Sequence, residues 1–382
     1  MRLCIVNPFY DTVPETPLEV TGRYRHVEAL AVALSRRHHE VLVVQALNED
    51  RSEQRDGVQF RSVRVPHRSA ARLGGGRLGL DLLARENLKG ILTALDEFAP
   101  DAVHMNGVTL LQPLASISSW CSRNNRPLTV SHHGGSPGRA PWLRSAHRRA
   151  LSRCRAVFFT TESHAVPWMA AGVLRRDQVV TCMEVSSTFA PADRKSARTR
   201  TGMHGAPVFV WNGRLHKGKD PLTALRGFSL IRSGWPNARL YMIYLTAEMI
   251  SEVRQTIEED KNLSGAVELL GRLPPSAVED FLNSADFIVQ SSLSEVAGYS
   301  VAEAMACGVI PVLTDIPSFR AMTGNGRYGM LFPTGNHQAM AECVLGLDLD
   351  RLTALSSDVH AHFVRALSYD TIAEVYDRTL GG

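Results

Sequence analysis

No run of the chain approaches the roughly 18 consecutive apolar residues that would cross a bilayer as a helix. Leu3-Cys-Ile-Val6 supplies four apolar residues before a polar break, too few for a secretory signal. The six cysteines (Cys4, Cys121, Cys154, Cys182, Cys307 and Cys343) form no C-x-x-C pair and no cluster with histidine. That excludes a disulfide scaffold and a thiolate zinc site, and they read as reduced thiols of a cytoplasmic protein. There is no fixed-period repeat and no low-complexity tract. Acidic residues are missing altogether between Asp101 and Glu162, a window that holds Arg123, Arg126, Arg139, Arg144, Arg148, Arg149, Arg153 and Arg155. A net charge of +4 is too small for a dedicated nucleic-acid binder. The arginine window reads first as a solvated face, with an anionic acceptor or a membrane surface as the alternative.

What is present is the balance of a globular protein: 44% hydrophobic and 21% charged residues over 382 positions, enough for two domains at about 150 residues each. Short apolar runs alternate with helical patterns. Leu3–Val6, Val41–Val44, Ala102–His104, Leu128–Val130 and Ala156–Phe159 read as buried strands, with a helix over Arg25–Arg37. A stretch rich in Ser, Thr, Arg, Gly and Pro from Glu184 to Pro207 reads as a linker. Strands resume at Val208–Trp211, Arg239–Tyr244, Val267–Leu270, Phe287–Val289 and Ile310–Leu313. The rhythm predicts two doubly wound α/β domains, with boundaries at 1–190 and 205–365, and a closing helix in 366–382 for which Ser368 is a suitable N-cap.

Two strand-to-helix junctions carry chemistry. Trp211-Asn-Gly-Arg-Leu-His-Lys-Gly-Lys-Asp-Pro221 follows a strand and precedes a helix, the edge of an open parallel sheet where ligands bind. Arg214 offers planar bidentate donors and Lys219 a point charge, a pair suited to a diphosphate. Gly213, Gly218 and Lys219 nearly spell a P-loop, but Asp220 stands where a magnesium-binding hydroxyl is required. The second junction is Glu295-Val-Ala-Gly-Tyr-Ser-Val-Ala-Glu303, continuing to Gly308. Ser300 and Glu303 have capping-box spacing, predicting a helix from about Val301 to Cys307 whose free N–H groups lie near Gly298 and Tyr299. Glu295 and Glu303 also suit a hydroxyl-rich ligand, since a carboxylate accepts from two neighbouring OH groups.

The Gly-Arg-Leu-x-x-x-Lys segment, the E-x-x-G-Y-S-x-x-E frame, Gly22-x-x-x-His-Val27 and His39-Glu-Val41 together closely resemble the retaining family 4 glycosyltransferases of the GT-B architecture, over nearly the whole chain. The resemblance implies two Rossmann-like domains facing across a cleft, an N-terminal acceptor domain, a C-terminal donor domain, and a terminal helix crossing back to the first. It implies that Arg214 and Lys219 hold the donor diphosphate, that Glu303 binds the ribose hydroxyls, and that Glu295 contacts the transferred sugar. Gly213 belongs to the same donor loop, and the amides near Gly298, Tyr299 and Ser300 would assist there. The backbone around Gly271 and Arg272 would meet the base, Gly22 would lie close to the diphosphate, and His133 near the sugar ring. Similar proteins often carry two glycines where this chain has Thr21-Gly22, and Gly-His-Glu where it has His38-His39-Glu40.

The expected activity is transfer of a hexosyl or N-acetylhexosaminyl group from a nucleotide-diphosphate sugar, most simply a UDP sugar, to a hydroxyl of a small-molecule acceptor. No tightly bound cofactor, essential metal or nucleic acid is expected. Asp11, Glu15 and Glu19 would suit a cationic acceptor such as an amino sugar or aminocyclitol, whereas the arginine window favours an anionic one. The alternatives are a synthase or phosphorylase accepting a sugar phosphate or phosphate, and a nucleotide-sugar binding protein without transfer. Asp348-Leu-Asp350 matches a metal-binding D-x-D, but in a late amphipathic stretch it reads as a solvated helix face. His132-His133 lacks the further ligand a zinc site needs.

Overall fold

The computed structural model describes residues 1–9, 25–47, 49–64 and 88–381. The chain divides into two compact units, one of residues 1–184 with 369–382, the other of residues 185–368. The crossing at Glu184 falls at the start of the stretch read as a linker. Most of the rest of that stretch is not linker: Asp193 caps a helix over Arg194–Thr201 by accepting from the Ser196 amide, and Arg194 and Arg198 bind the buried Asp286 carboxylate within the second unit.

In the first unit the strands are β1 (Arg2–Asn7), β2 (Glu40–Leu47), β3 (Arg51–Arg55), β4 (Val58–Arg64), β5 (Ala102–Asn106), β6 (Leu128–Ser131), β7 (Ala156–Phe159) and β8 (Val179–Thr181). They form a sheet in the order β3-β4-β2-β1-β5-β6-β7-β8, parallel except for the β3–β4 pair. The inner strands are apolar because helices cover both faces, and β5 and β7 are buried at every position. The helices are α1 (Arg25–Arg36), α2 (Leu88–Phe98), α3 (Leu111–Arg123), α4 (Pro141–Leu151), α5 (Glu162–Ala170) and the terminal helix, here αC (Tyr369–Gly381). The hairpin β3–β4 has no strong apolar alternation, and the sequence reading missed it. Its turn turns on Asp56 and Gly57, both at positive φ.

αC packs on α1 within this unit. Arg37 and His39 both bind Asp377, the latter at 2.6 Å, and Tyr376 stacks on Phe158 with centroids 4.5 Å apart. Burial alone would raise the Asp377 carboxyl; the hydrogen bonds from Arg37 and His39 outweigh it and hold the group below its ordinary range. Thus His39, to which the sequence attached no chemistry, anchors αC.

The second unit has strands β9 (Val208–Gly213), β10 (Arg239–Tyr244), β11 (Val267–Gly271), β12 (Phe287–Gln290), β13 (Ile310–Thr314) and β14 (Met330–Phe332). All pair in parallel, in the order β11-β10-β9-β12-β13-β14. The chain leaves β9 toward β10 and β11, then returns to place β12 on the other flank of β9. The gap between β9 and β12 is therefore a topological switch point, where connections leave in opposite directions and a crevice opens at the C-terminal strand ends. Phe209 on β9 stacks on Phe287 of β12 at 4.8 Å and meets Phe228 edge-on at 5.4 Å, which fixes the floor beneath that crevice. Such aromatic pairs contribute about 1 kcal/mol each beyond their burial.

Candidate functional site

β9 ends at Gly213, Arg214 follows exposed, and a single 3₁₀ turn over Lys217–Lys219 leads into the helix Pro221–Gly234. Asp220, the residue that spoils the P-loop, sits in the left-handed region (φ 44°) as the N-cap of that helix, its carboxylate accepting from the Thr223 amide. It does local structural work at the position where a nucleotide hydrolase needs a metal ligand. From the neighbouring β12, Ser291 donates to the carbonyls of Lys219 and Asp220 at 3.1 and 2.6 Å, and Leu293 N–H donates to the Gly218 carbonyl at 2.9 Å. These bonds lock the loop after β9 against the loop after β12.

The locking brings Lys219 onto Glu295. Their side chains are 17% and 13% exposed and form a direct ion pair, with Ser292 Oγ donating to the same carboxylate oxygen at 2.8 Å. The Arg214 carbonyl accepts from the His216 N–H at 2.9 Å, and its exposed guanidinium, with five donors, makes no hydrogen bond or ion pair with any described residue. Arg272 lies exposed just beyond β11, after Gly271 at φ 72°.

The third part of the site is the helix Tyr299–Ala306. It starts two residues earlier than the Ser300–Glu303 spacing implied. Gly298 is the N-cap, no side chain caps it, Ser300 lies inside the first turn, and Glu303 falls beyond that turn. The reason is packing: a Cβ on Gly298 would sit 2.9 Å from the Phe319 ring and 3.2 Å from Met322 Sδ, so only glycine lets the helix begin this close to its neighbour. Tyr299 is 45% exposed at the helix start. Gly308, at φ 76°, ends the helix as expected.

In the first unit, His133 follows β6, 20% exposed. Ser131 Oγ lies 2.7 Å from its Nε2 and Glu184 Oε2 3.3 Å from its Nδ1. Ser131 Oγ donates to Asn106 Oδ1 at 3.0 Å, which leaves His133 Nε2 as the donor to Ser131 and Nδ1 as the acceptor facing Glu184. Burial pushes His133 down to about 4 and drives the Glu184 carboxyl, 3% exposed, well above its usual range. Both shifts have one cause, the loss of water around the charged form, and each favours the neutral form of its group. The network extends through Asn106 to His104 Nε2 (3.2 Å) and Tyr376 OH (3.0 Å), around a cavity of about 20 Å³, room for one water. Sequence reading missed Glu184, because nothing in Cys182-Met-Glu marks the carboxylate as buried against a histidine 51 positions earlier (184 − 133).

Gly22, Asp11, Glu15 and Glu19 lie outside the described residues. Asp348 and Asp350 are exposed, and Asp348 caps a 3₁₀ turn by accepting from the Asp350 amide. Among the described residues no group of three or more His, Cys, Asp or Glu side chains is placed to hold a metal ion. No described helix is long and apolar enough to cross a membrane. All six cysteines are free thiols, five of them buried.

Two family models match this chain: "Glycosyltransferase Family 4" over residues 20–180 and "Glycosyl transferases group 1" over residues 206–350. The chain belongs to the family 4 glycosyltransferases of the GT-B architecture. Among curated proteins it is 23% identical over 258 residues to the GDP-mannose:cellobiosyl-diphosphopolyprenol alpha-mannosyltransferase of Xanthomonas campestris, covering 65% of each chain. Among solved structures it resembles HepE of Anabaena in complex with UDP (TM-score 0.71, 16% identity, 100% of both chains). It also resembles sucrose-phosphate synthase of Thermosynechococcus elongatus (TM-score 0.70, 15% identity, 99% and 97% covered). The matches span two thirds or less of the curated relatives' own length. At such identities the solved structures speak to the fold.

Proposed function

We propose that the chain is a retaining glycosyltransferase that moves a hexosyl or N-acetylhexosaminyl group from a nucleotide-diphosphate sugar, with UDP the expected nucleotide, to a hydroxyl of an acceptor recognised by the N-terminal unit. The observation that carries this reading is the Lys219–Glu295 pair, built from two loops at the β9/β12 switch point beside Arg214, whose guanidinium has no partner among the described residues. A lysine already charge-balanced by a carboxylate, next to a free arginine, can take a diphosphate between them while the carboxylate accepts sugar hydroxyls.

In this reading the bond from the anomeric carbon to the diphosphate oxygen breaks as the acceptor oxygen bonds to the same face of that carbon. The acceptor proton passes to the leaving diphosphate. Arg214 and Lys219 stabilise the charge growing on that leaving group, where preorganised donors contribute most. Glu295 orients the sugar, Glu303 holds the ribose hydroxyls, and Arg272 lies beside the base. His133 meets the sugar ring through the surface it leaves open, with its orientation fixed by Ser131 and Glu184. No carboxylate of the donor site is assigned as a covalent nucleophile.

Lys219→Ala tests this directly. It should abolish turnover, by at least about a hundredfold in kcat, as losing one preorganised charge stabiliser does, with an unchanged circular dichroism spectrum. Turnover that survives would sink the assignment. Release of nucleoside diphosphate only on adding an acceptor alcohol separates transfer from simple binding. Release that instead requires phosphate or a sugar phosphate would favour the synthase or phosphorylase reading.

A further inference from the structure

We propose that the outer face of α4 is a docking surface for an anionic lipid bilayer. The helix Pro141–Leu151 turns His147, Ala150 and Leu151 inward. Its opposite face carries Trp142, which is 70% exposed, then Ser145, Arg148 and Arg149, and Arg153 follows just beyond the helix end. At 1.5 Å per residue this stripe is about 16 Å long.

Two independent features single the stripe out. The first is the state of its charges. Exposed Arg123, Arg139, Arg148, Arg149 and Arg153 have no carboxylate partner among the described residues. The carboxylates that flank the window are already engaged, Asp101 by Arg126 and Glu162 by Arg176, so none of the described carboxylates pairs with these arginines. The Arg153 guanidinium is instead bonded to Ser122 Oγ at the end of α3, which sets the ends of the two helices side by side. A solvated surface helix ordinarily intersperses both signs.

The second feature is Trp142. Trp120, Trp168 and Trp211 are buried at 5%, 0% and 0% exposure, and Trp142 is the most exposed large hydrophobic side chain among the described residues. An indole has an apolar body and one N–H donor, which suits the headgroup boundary of a bilayer, and arginines around it suit lipid phosphates. A free anionic solute would use the arginines and leave the indole without purpose. A bilayer uses both.

The experiment employs the full chain and vesicles of phosphatidylglycerol mixed with phosphatidylcholine, with pure phosphatidylcholine as the comparison. The protein should sediment with the anionic vesicles, release at high salt, and stay in solution with the neutral ones. Bromine-labelled acyl chains should quench the Trp142 emission. Trp142→Phe should sediment but lose that quenching, because the other described tryptophans are not so exposed. Arg139→Gln combined with Arg149→Gln removes two exposed charges that make no bond within the protein. Partitioning should fall about 25-fold, about fivefold for each basic residue, while the circular dichroism spectrum is unchanged. No sedimentation with anionic vesicles would overturn the proposal. So would sedimentation without Trp142 quenching, or sedimentation indifferent to the double substitution.

Discussion

His38 sits at φ 66°, in the left-handed region that L residues enter at a cost of about 1 to 2 kcal/mol, between α1 and β2. Family resemblance places glycine at this corner, and the backbone angle supplies the physical reason. His38→Gly should therefore stabilise the protein by about 0.5 to 1 kcal/mol, the relief of strain exceeding the added entropy of the unfolded glycine. Denaturant unfolding at neutral pH measures it, and a destabilised variant would contradict the strain argument. Asp220 is a different case. It too is left-handed, yet its carboxylate caps a helix, so the strain there is offset by a bond.

Elements in the second unit are spaced by glycines that sequence periodicity does not reveal. Gly227 lies in the middle of the helix Pro221–Gly234, where alanine would ordinarily add about 1 kcal/mol of helix stability. Here a Cβ would come 2.7 Å from Met340 Sδ and 3.1 Å from the His337 carbonyl of the helix His337–Leu345. The methionine can move; the carbonyl, part of a helix start, cannot. Gly227→Ala should bring none of the usual gain, and Gly227→Val should cost about 1 to 3 kcal/mol by overpacking. Thermal melting of the two variants checks this, and a raised midpoint for the alanine form would show that the helices separate freely. The same logic displaced the helix at Tyr299 from its expected start. The capping-box spacing of Ser300 and Glu303 is a local preference, and the contact of Gly298 with Phe319 and Met322 overrode it.

Across the whole molecule, buried histidines set the response to acid. Burial lowers His26 and His104 to about 3 and His132 and His133 to about 4. Each is neutral in the folded state, whereas the unfolded chain takes up its proton near 6.5. They cost nothing above about pH 6.5 and destabilise the fold as pH falls below it, by about 2 kcal/mol per group at pH 5, the loss levelling off only near the folded values of about 3 to 4. Glu184 acts in the opposite sense. Its raised folded value makes the folded state less favoured as pH climbs above the ordinary carboxylate range, but it is one group against four. The unfolding midpoint should fall on acidification from pH 7 to pH 5, and His104→Asn should flatten that slope by about one proton while lowering stability at pH 7. A midpoint independent of pH in this range would refute the assignment.

The sequence by itself determined two doubly wound units and the residue types gathered at the proposed donor site, because apolar periodicity and strand-to-helix junctions are written within a few consecutive residues. All inner strands but β4 were legible, as was the edge strand β11, while the short edge strands β3, β8 and β14 were not. Only the tertiary structure decided partnerships. Lys219 meets Glu295 across 76 residues because β9 and β12 are neighbours, and His133 meets Glu184 because β6, β7 and β8 are laid side by side. Sheet order is a property of long-range packing, and no local pattern encodes which strand ends will share an edge.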